Sequence, residues 1–192
     1  MKHTLEQIRD AIKSKGYLWF NSDTDYDVNI VGVRNITPGD AVTNAFDDVI
    51  TVSFKDDGKW QFYSWPCTLD PGTKAVKEYH NPNGVARIVP GQYRRSHHIG
   101  LHQGKYEALT QQNPVTVYRD ANKDMKFDET KTETGIFGIN IHKAGTDSTL
   151  VDRWSEGCTV FKREIDFNAF MAICKEASKI HGNSFTYTVI EL

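Results

Sequence analysis

Apolar and polar positions alternate along most of this chain with the two-residue period of strands, and only its two ends carry a helical period. Near the start, Leu5, Ile8 and Ile12 recur at helical spacing with Ala11 on the same side, which predicts an amphipathic helix over 4–15, ended near Gly16. The run YDVNIVGVRN over 26–35 reads as a strand. ITVSFKDDGKWQFYSW is the clearest hairpin signal: Ile50, Val52 and Phe54 alternate, Asp57-Gly58 supplies the turn, and the aromatics return. Short strand-like runs follow as GVARIVP, SHHIGLH, PVTVYRD, GIFGINIH and CTVFKR, punctuated by Gly, Pro, Asn and Asp. Towards the end, Phe167, Phe170, Met171, Cys174 and Ala177 share one helical face, with Asp166 as the expected N-cap, and FTYTVIEL closes the chain as a strand. The pattern predicts a single mainly β (α+β) domain over 1–192, a sandwich or partly closed barrel with one helix near each end.

Composition narrows the function classes. The chain of 192 residues has a formal net charge of −2 and no Lys/Arg-rich run, so nucleic acid is not the expected partner. MKHTLEQIRDAIKSKGYLWF alternates charge with apolar residues and holds neither a signal-peptide core nor a membrane span. Three cysteines, Cys67, Cys158 and Cys174, are too few and too odd in number for a disulfide framework, and at least one thiol stays free.

The chemistry concentrates in HKAGTDSTLVDRWSEGC, where His142 lies 16 positions before Cys158. A thiol attacks a carbonyl as thiolate, so it needs a base and amide donors for the developing oxyanion. Gly157 permits a tight turn that brings its own amide and that of Cys158 towards one point, Ser155 can hydrogen-bond within that turn, and His142 ends an apolar alternating run. The alternative is that both are ordinary residues bracketing a loop, with the cysteine buried as a small hydrophobe.

HKAG…WSEGC resembles the signature of the L,D-transpeptidase catalytic domain, in which a histidine precedes a Ser/Thr-His-Gly-Cys box, and NPNGVARIVPGQY resembles that family's Pro-x-Gly entry into the sheet. The resemblance covers ~45–165 and leaves the N-terminal 1–40, a helix and strand extension, outside a catalytic region over 45–192. It implies an L,D-transpeptidase-like fold with Cys158 as nucleophile, His142 as general base, Ser155 in a supporting role and the Gly157/Cys158 amides as oxyanion hole. The substrate implied is the peptidoglycan stem peptide, attacked through a thioester. Glu156 stands where the family has histidine, and Thr159-Val160-Phe161 replaces the usual Arg or Asn after the cysteine. These departures fall on acceptor recognition and favour hydrolysis over cross-linking, an L,D-carboxypeptidase or endopeptidase activity of lysin type. With no export signal, the expectation is synthesis in the cytoplasm and action on the wall after release, as a phage lysin or virion-associated component.

Other clusters carry rival readings. His98 and His102, four apart, share a strand or helix face and with His142 suggest a zinc peptidase; cleft-lining histidines are the alternative, with His98, His102, Arg153 and Trp154 as substrate-binding candidates. Arg94 and Arg95 also suit carboxylates. DANKDMKFD sets Asp120, Asn122, Asp124 and Asp128 at calcium-loop positions, though Met125 replaces the turn glycine and Lys131 the bidentate glutamate; an Asx-rich turn is the alternative. The catalysis expected needs no cofactor, and calcium enters as a structural ion alone. A non-catalytic wall-binding or virion module is the remaining reading.

Overall fold

The computed structural model describes residues 3–35, 41–78, 82–126 and 130–192. Helix α1 (Leu5–Ser14) leads into β1 (Asn29–Arg34), β2 (Asp48–Asp56), β3 (Lys59–Thr68), the short α2 (Thr73–Glu78) and β4 (Val85–Ile88). Then come β5 (Gly91–His102), β6 (Tyr106–Gln111), β7 (Val115–Asp120), β8 (Thr132–Gly135), β9 (Ile141–Lys143), β10 (Thr159–Phe161), α3 (Glu164–His181) and β11 (Phe185–Glu191). In the order β1-β11-β5-β6-β9-β10-β3-β2 the strands close into a barrel, and β4-β7-β8 form a second, smaller sheet. The fold is mainly β with a helix near each end, and the barrel is closed.

Alternation along the strands builds two cores. Ile30 on β1, Ile50, Val52 and Phe54 on β2, and Tyr187 and Val189 on β11 turn inward with Phe161, Phe167 and Phe170. The intervening Val31, Val33, Val49 and Ile190 turn outward and are covered by Ile8 and Ile12 of α1. That cover explains why β1 is buried on both faces, and burying those two isoleucines contributes about 1.5–3 kcal/mol each. Thr4 and Gln7 form a capping box at the start of α1. The segment expected to lie outside the catalytic region thus contributes β1 to the barrel, between β11 and β2.

The β2–β3 hairpin turns at Asp57 and Gly58 with φ of +49° and +69°, the left-handed pair a two-residue turn requires. Three expectations need correction. Asp166 is not the N-cap of the last helix: α3 starts at Glu164 after Arg163, and the Asp166 carboxylate is held by the Arg163 guanidinium through two bonds of 2.7 Å. GIFGINIH is not one strand, because Gly138 at φ +75° breaks it between β8 and β9. The amides of Phe137 and Ile139 freed by that break both donate to Gln111 Oε1 at 3.0 Å. Finally, the expected runs omit α2 and β6 and reach only the last residue of β8. Among the described residues no helix is long and apolar enough to cross a membrane.

Candidate functional site

Cys158 lies one residue before β10, and His142 is the middle residue of β9, its parallel neighbour. The register pairs Val160 with His142 and Thr159 with Ile141, and the Thr159 amide continues it by donating to the Asn140 carbonyl at 2.9 Å. Cysteine and histidine therefore sit on adjacent strands about two residues out of step. Both line one open cavity of about 550 Å³, shared with His102, Tyr106, Trp154 and Glu156.

The turn before the cysteine is built by Ser155. Its hydroxyl donates to the Cys158 carbonyl at 2.8 Å and accepts the Gly157 amide at 3.2 Å. That second bond engages the Gly157 N–H, one of the two amides expected to form the oxyanion hole; the other, the Cys158 N–H, makes no hydrogen bond among the described residues. Gly157 has φ +134°, and a Cβ there would stand 2.5 Å from the Ala86 carbonyl on β4. Both conditions demand glycine. Gly157→Ala is expected to cost at least ~2 kcal/mol of stability, read as a lower urea midpoint at unchanged slope.

The sulfur rests against the strand break. Its S–H donates to the Gly138 carbonyl at 3.3 Å and it accepts the Asn140 amide at 3.4 Å. Burial pushes the thiol up to about 11, against the pull of the Asn140 amide, and the Glu156 carboxylate adds to the rise. No hydrogen bond joins the thiol to His142 among the described residues.

The histidine is fixed on its other edge. Nδ1 lies 2.9 Å from the Lys143 carbonyl, which only accepts, so Nδ1 carries the proton and Nε2 keeps the lone pair. The Tyr106 hydroxyl stands 3.4 Å from both Nδ1 and that carbonyl. His102 stacks on His142 with ring centroids 4.1 Å apart, and Asn140 Nδ2 donates to His102 Nδ1 at 3.0 Å. Burial, then the neighbouring His102, lowers His142 to about 4 against the opposing Lys143 carbonyl. At neutral pH the pair is a neutral imidazole and a neutral thiol.

The remaining candidates separate. His102 lines the cavity, while His98 does not. His98 faces Thr110 across the β5–β6 ladder, and four strand residues place it roughly 13 Å along β5 from His102. The same spacing keeps His98, His102 and His142 from sharing one ion, and among the described residues no three His, Cys, Asp or Glu gather for a metal. Arg153 and Trp154 stand on the rim, Arg153 paired with Glu78 at 2.7 Å and Trp154 about half exposed. Arg94 and Arg95 belong to another surface hollow, beside α3. Cys67 and Cys174 are sealed in the core, where burial raises their thiols. Asp128 lies outside the described residues.

Sequence reading missed Asn140, Tyr106, Lys74 and Asp152. Asn140 was findable, being two residues before His142 and so on the same strand face. Tyr106 pairs with His102 across the Gln103–Lys105 hairpin turn, whose signal is Gly104. Lys74 and Asp152 reach the rim as an ion pair of 2.7 Å from α2 and the loop before the cysteine. No family model matches the chain, and neither a curated protein nor a solved structure matches it.

Proposed function

We propose that the protein is a cysteine-dependent acyl-transfer enzyme of L,D-transpeptidase type that hydrolyses peptidoglycan stem peptides. The observation that carries the reading is the meeting of a partly exposed thiol and a tautomer-fixed imidazole on one cavity wall, from adjacent parallel strands. The cavity wall also carries Lys105, with Lys74, Lys143 and Arg153 there already paired to Asp152, Glu164 and Glu78, so a peptide carboxylate would meet Lys105 first, and Trp154 offers an apolar wall.

In this reading the substrate carbonyl enters beside Cys158, and the sulfur swings off the Gly138 carbonyl. His142 Nε2 takes the thiol proton as sulfur attacks the carbonyl carbon. The oxyanion is received by the free Cys158 amide. Collapse breaks the C–N bond, imidazolium protonates the leaving amine, and a thioester remains on Cys158. Water, deprotonated by the same nitrogen, then releases the acid and restores the thiol. Glu156, exposed on the cavity wall two residues before the nucleophile, disfavours a carboxylate-bearing amine acceptor by charge, which supports water as the acceptor.

Incubation with defined tetrapeptide and pentapeptide muropeptides, followed by mass spectrometry, tests the reading. Products summing to substrate plus one water are expected. A cross-linked dimer would convert the assignment to transpeptidation, and neither product, with no acyl adduct on Cys158, would end it.

A further inference from the structure

The turn after β7 has a geometry that the catalytic reading leaves unused. Asp120, the last residue of β7, is buried to 6 % exposure although it is a carboxylate. Its Oδ2 accepts the Met125 amide at 3.2 Å, so the carboxylate is turned into the loop that 120–126 closes. Its Oδ1 is buried there without a hydrogen-bond partner. A buried carboxylate oxygen left unsatisfied calls for a positive partner. The other side chains of the loop follow the same nested pattern. Asn122 Oδ1 accepts the Asp124 amide at 3.2 Å, and Asp124 Oδ1 accepts the Lys126 amide at 2.9 Å. Each acceptor therefore stands at alternate positions with its side chain folded over the loop. Met125 occupies the place where such loops carry glycine, and it adopts φ +63°, so the missing glycine has not prevented the turn.

We propose that this loop is a calcium site, with oxygen ligands from Asp120 Oδ1, the Asn122 and Asp124 side chains and the Lys126 carbonyl. An all-oxygen donor set with two carboxylates and a flexible carbonyl suits a hard ion that accepts irregular coordination, and it suits magnesium poorly. Two carboxylates place the affinity in the weaker range for such loops, a Kd on the order of 10⁻⁵–10⁻³ M.

The position of the loop gives the ion a structural task. The Met125 carbonyl accepts the Val42 amide at 2.7 Å, and Ala41 bridges to Lys126. Two residues on, Asn44 accepts the amides of Thr73 and Asp152 and donates to the Asp152 carboxylate, the partner of Lys74 on the cavity rim. On the other side Asp120 pairs with Val85, and the next residue of β4, Ala86, holds the Glu156 carbonyl. An ion in the loop stiffens both connections to the cavity without touching the chemistry.

The test uses the full chain treated with chelator and dialysed, then titrated with calcium chloride by calorimetry and followed by thermal melting. One saturable site is expected, and Tm rises by roughly 5–10 °C when calcium exceeds Kd a hundredfold. Magnesium at the same concentration gives a small fraction of that rise, and hydrogen exchange slows at the loop amides and at Val42. Asp120→Asn and, because Asp120 is buried, the exposed Asp124→Ala each weaken binding at least tenfold. No saturable binding by 10 mM calcium (a limit of about ten times the weakest expected Kd), an equal response to magnesium, or binding untouched by both substitutions overturns the assignment. None of these readouts uses peptidoglycan turnover, so the site and the enzyme reading stand or fall separately.

Discussion

Cys158→Ala is expected to lower stem-peptide hydrolysis by at least ~10³-fold while moving Tm by no more than about 3 °C. The two halves of that result have separate causes. Loss of activity follows because no other thiol reaches the cavity: Cys67 and Cys174 are fully buried in the core, far from any wall that substrate can touch. Stability is spared because the substitution removes a single sulfur at a cavity wall, held only by bonds of 3.3 and 3.4 Å to the Gly138 carbonyl and the Asn140 amide. The turn itself survives, since Ser155 and Gly157 hold it without the sulfur. Parallel assays of hydrolysis and of thermal unfolding check both. Undiminished turnover would remove Cys158 from the mechanism, and a collapse in Tm would recast it as a packing residue. A wild type that binds wall fragments without turnover, and whose binding the substitution leaves unchanged, would instead identify a wall-binding module.

Sequence periodicity located the outer frame because that frame is made of strong local signals. The Asp57–Gly58 hairpin and α1 each combine a period with a terminal device, and both appear where their residues direct. The parts that escaped are those decided by tertiary partners. YEALTQ has weak strand character, and β6 exists because β5 and β9 flank it and give it ladder partners on both edges. Asp166 has the chemistry of an N-cap, but Arg163 claims both of its oxygens and the helix begins three residues earlier than that cap would place it. In the site, the His142 and Cys158 spacing was legible as a motif. The stack of His102 on His142 was not, because it depends on β5 and β9 lying on either side of β6. His98 misled for a related reason: two residues on one strand face share a direction while standing too far apart to share a ligand.

Alkylation of Cys158 by iodoacetamide is expected to accelerate about tenfold for each pH unit between 6 and 9, roughly 10³-fold in all, without reaching a plateau. The thiolate is the reacting form, and desolvation holds the thiol near 11, with the Asn140 amide drawing it down and Glu156 raising it. An imidazolium beside the sulfur would lower the thiol instead. His142 cannot supply one at neutral pH, because burial and the stacked His102 depress it to about 4. The ring gains its proton only as pH falls towards 4, and over 6–9 it is neutral throughout. Glu156→Gln removes the acidic side chain that raises the thiol and should raise the rate a few-fold at fixed pH, with the slope unchanged. Mass spectrometry of intact protein reads the rate cleanly, since the two core thiols stay unmodified while the fold holds. The proposed enzyme would then work by general base and not from a standing ion pair, and the acid limb of kcat/KM is expected near His142's depressed value, well below an ordinary histidine. A rate that levels off below pH 7 would mean a thiolate–imidazolium pair already present in the resting site, and the neutral-pair mechanism would have to be abandoned.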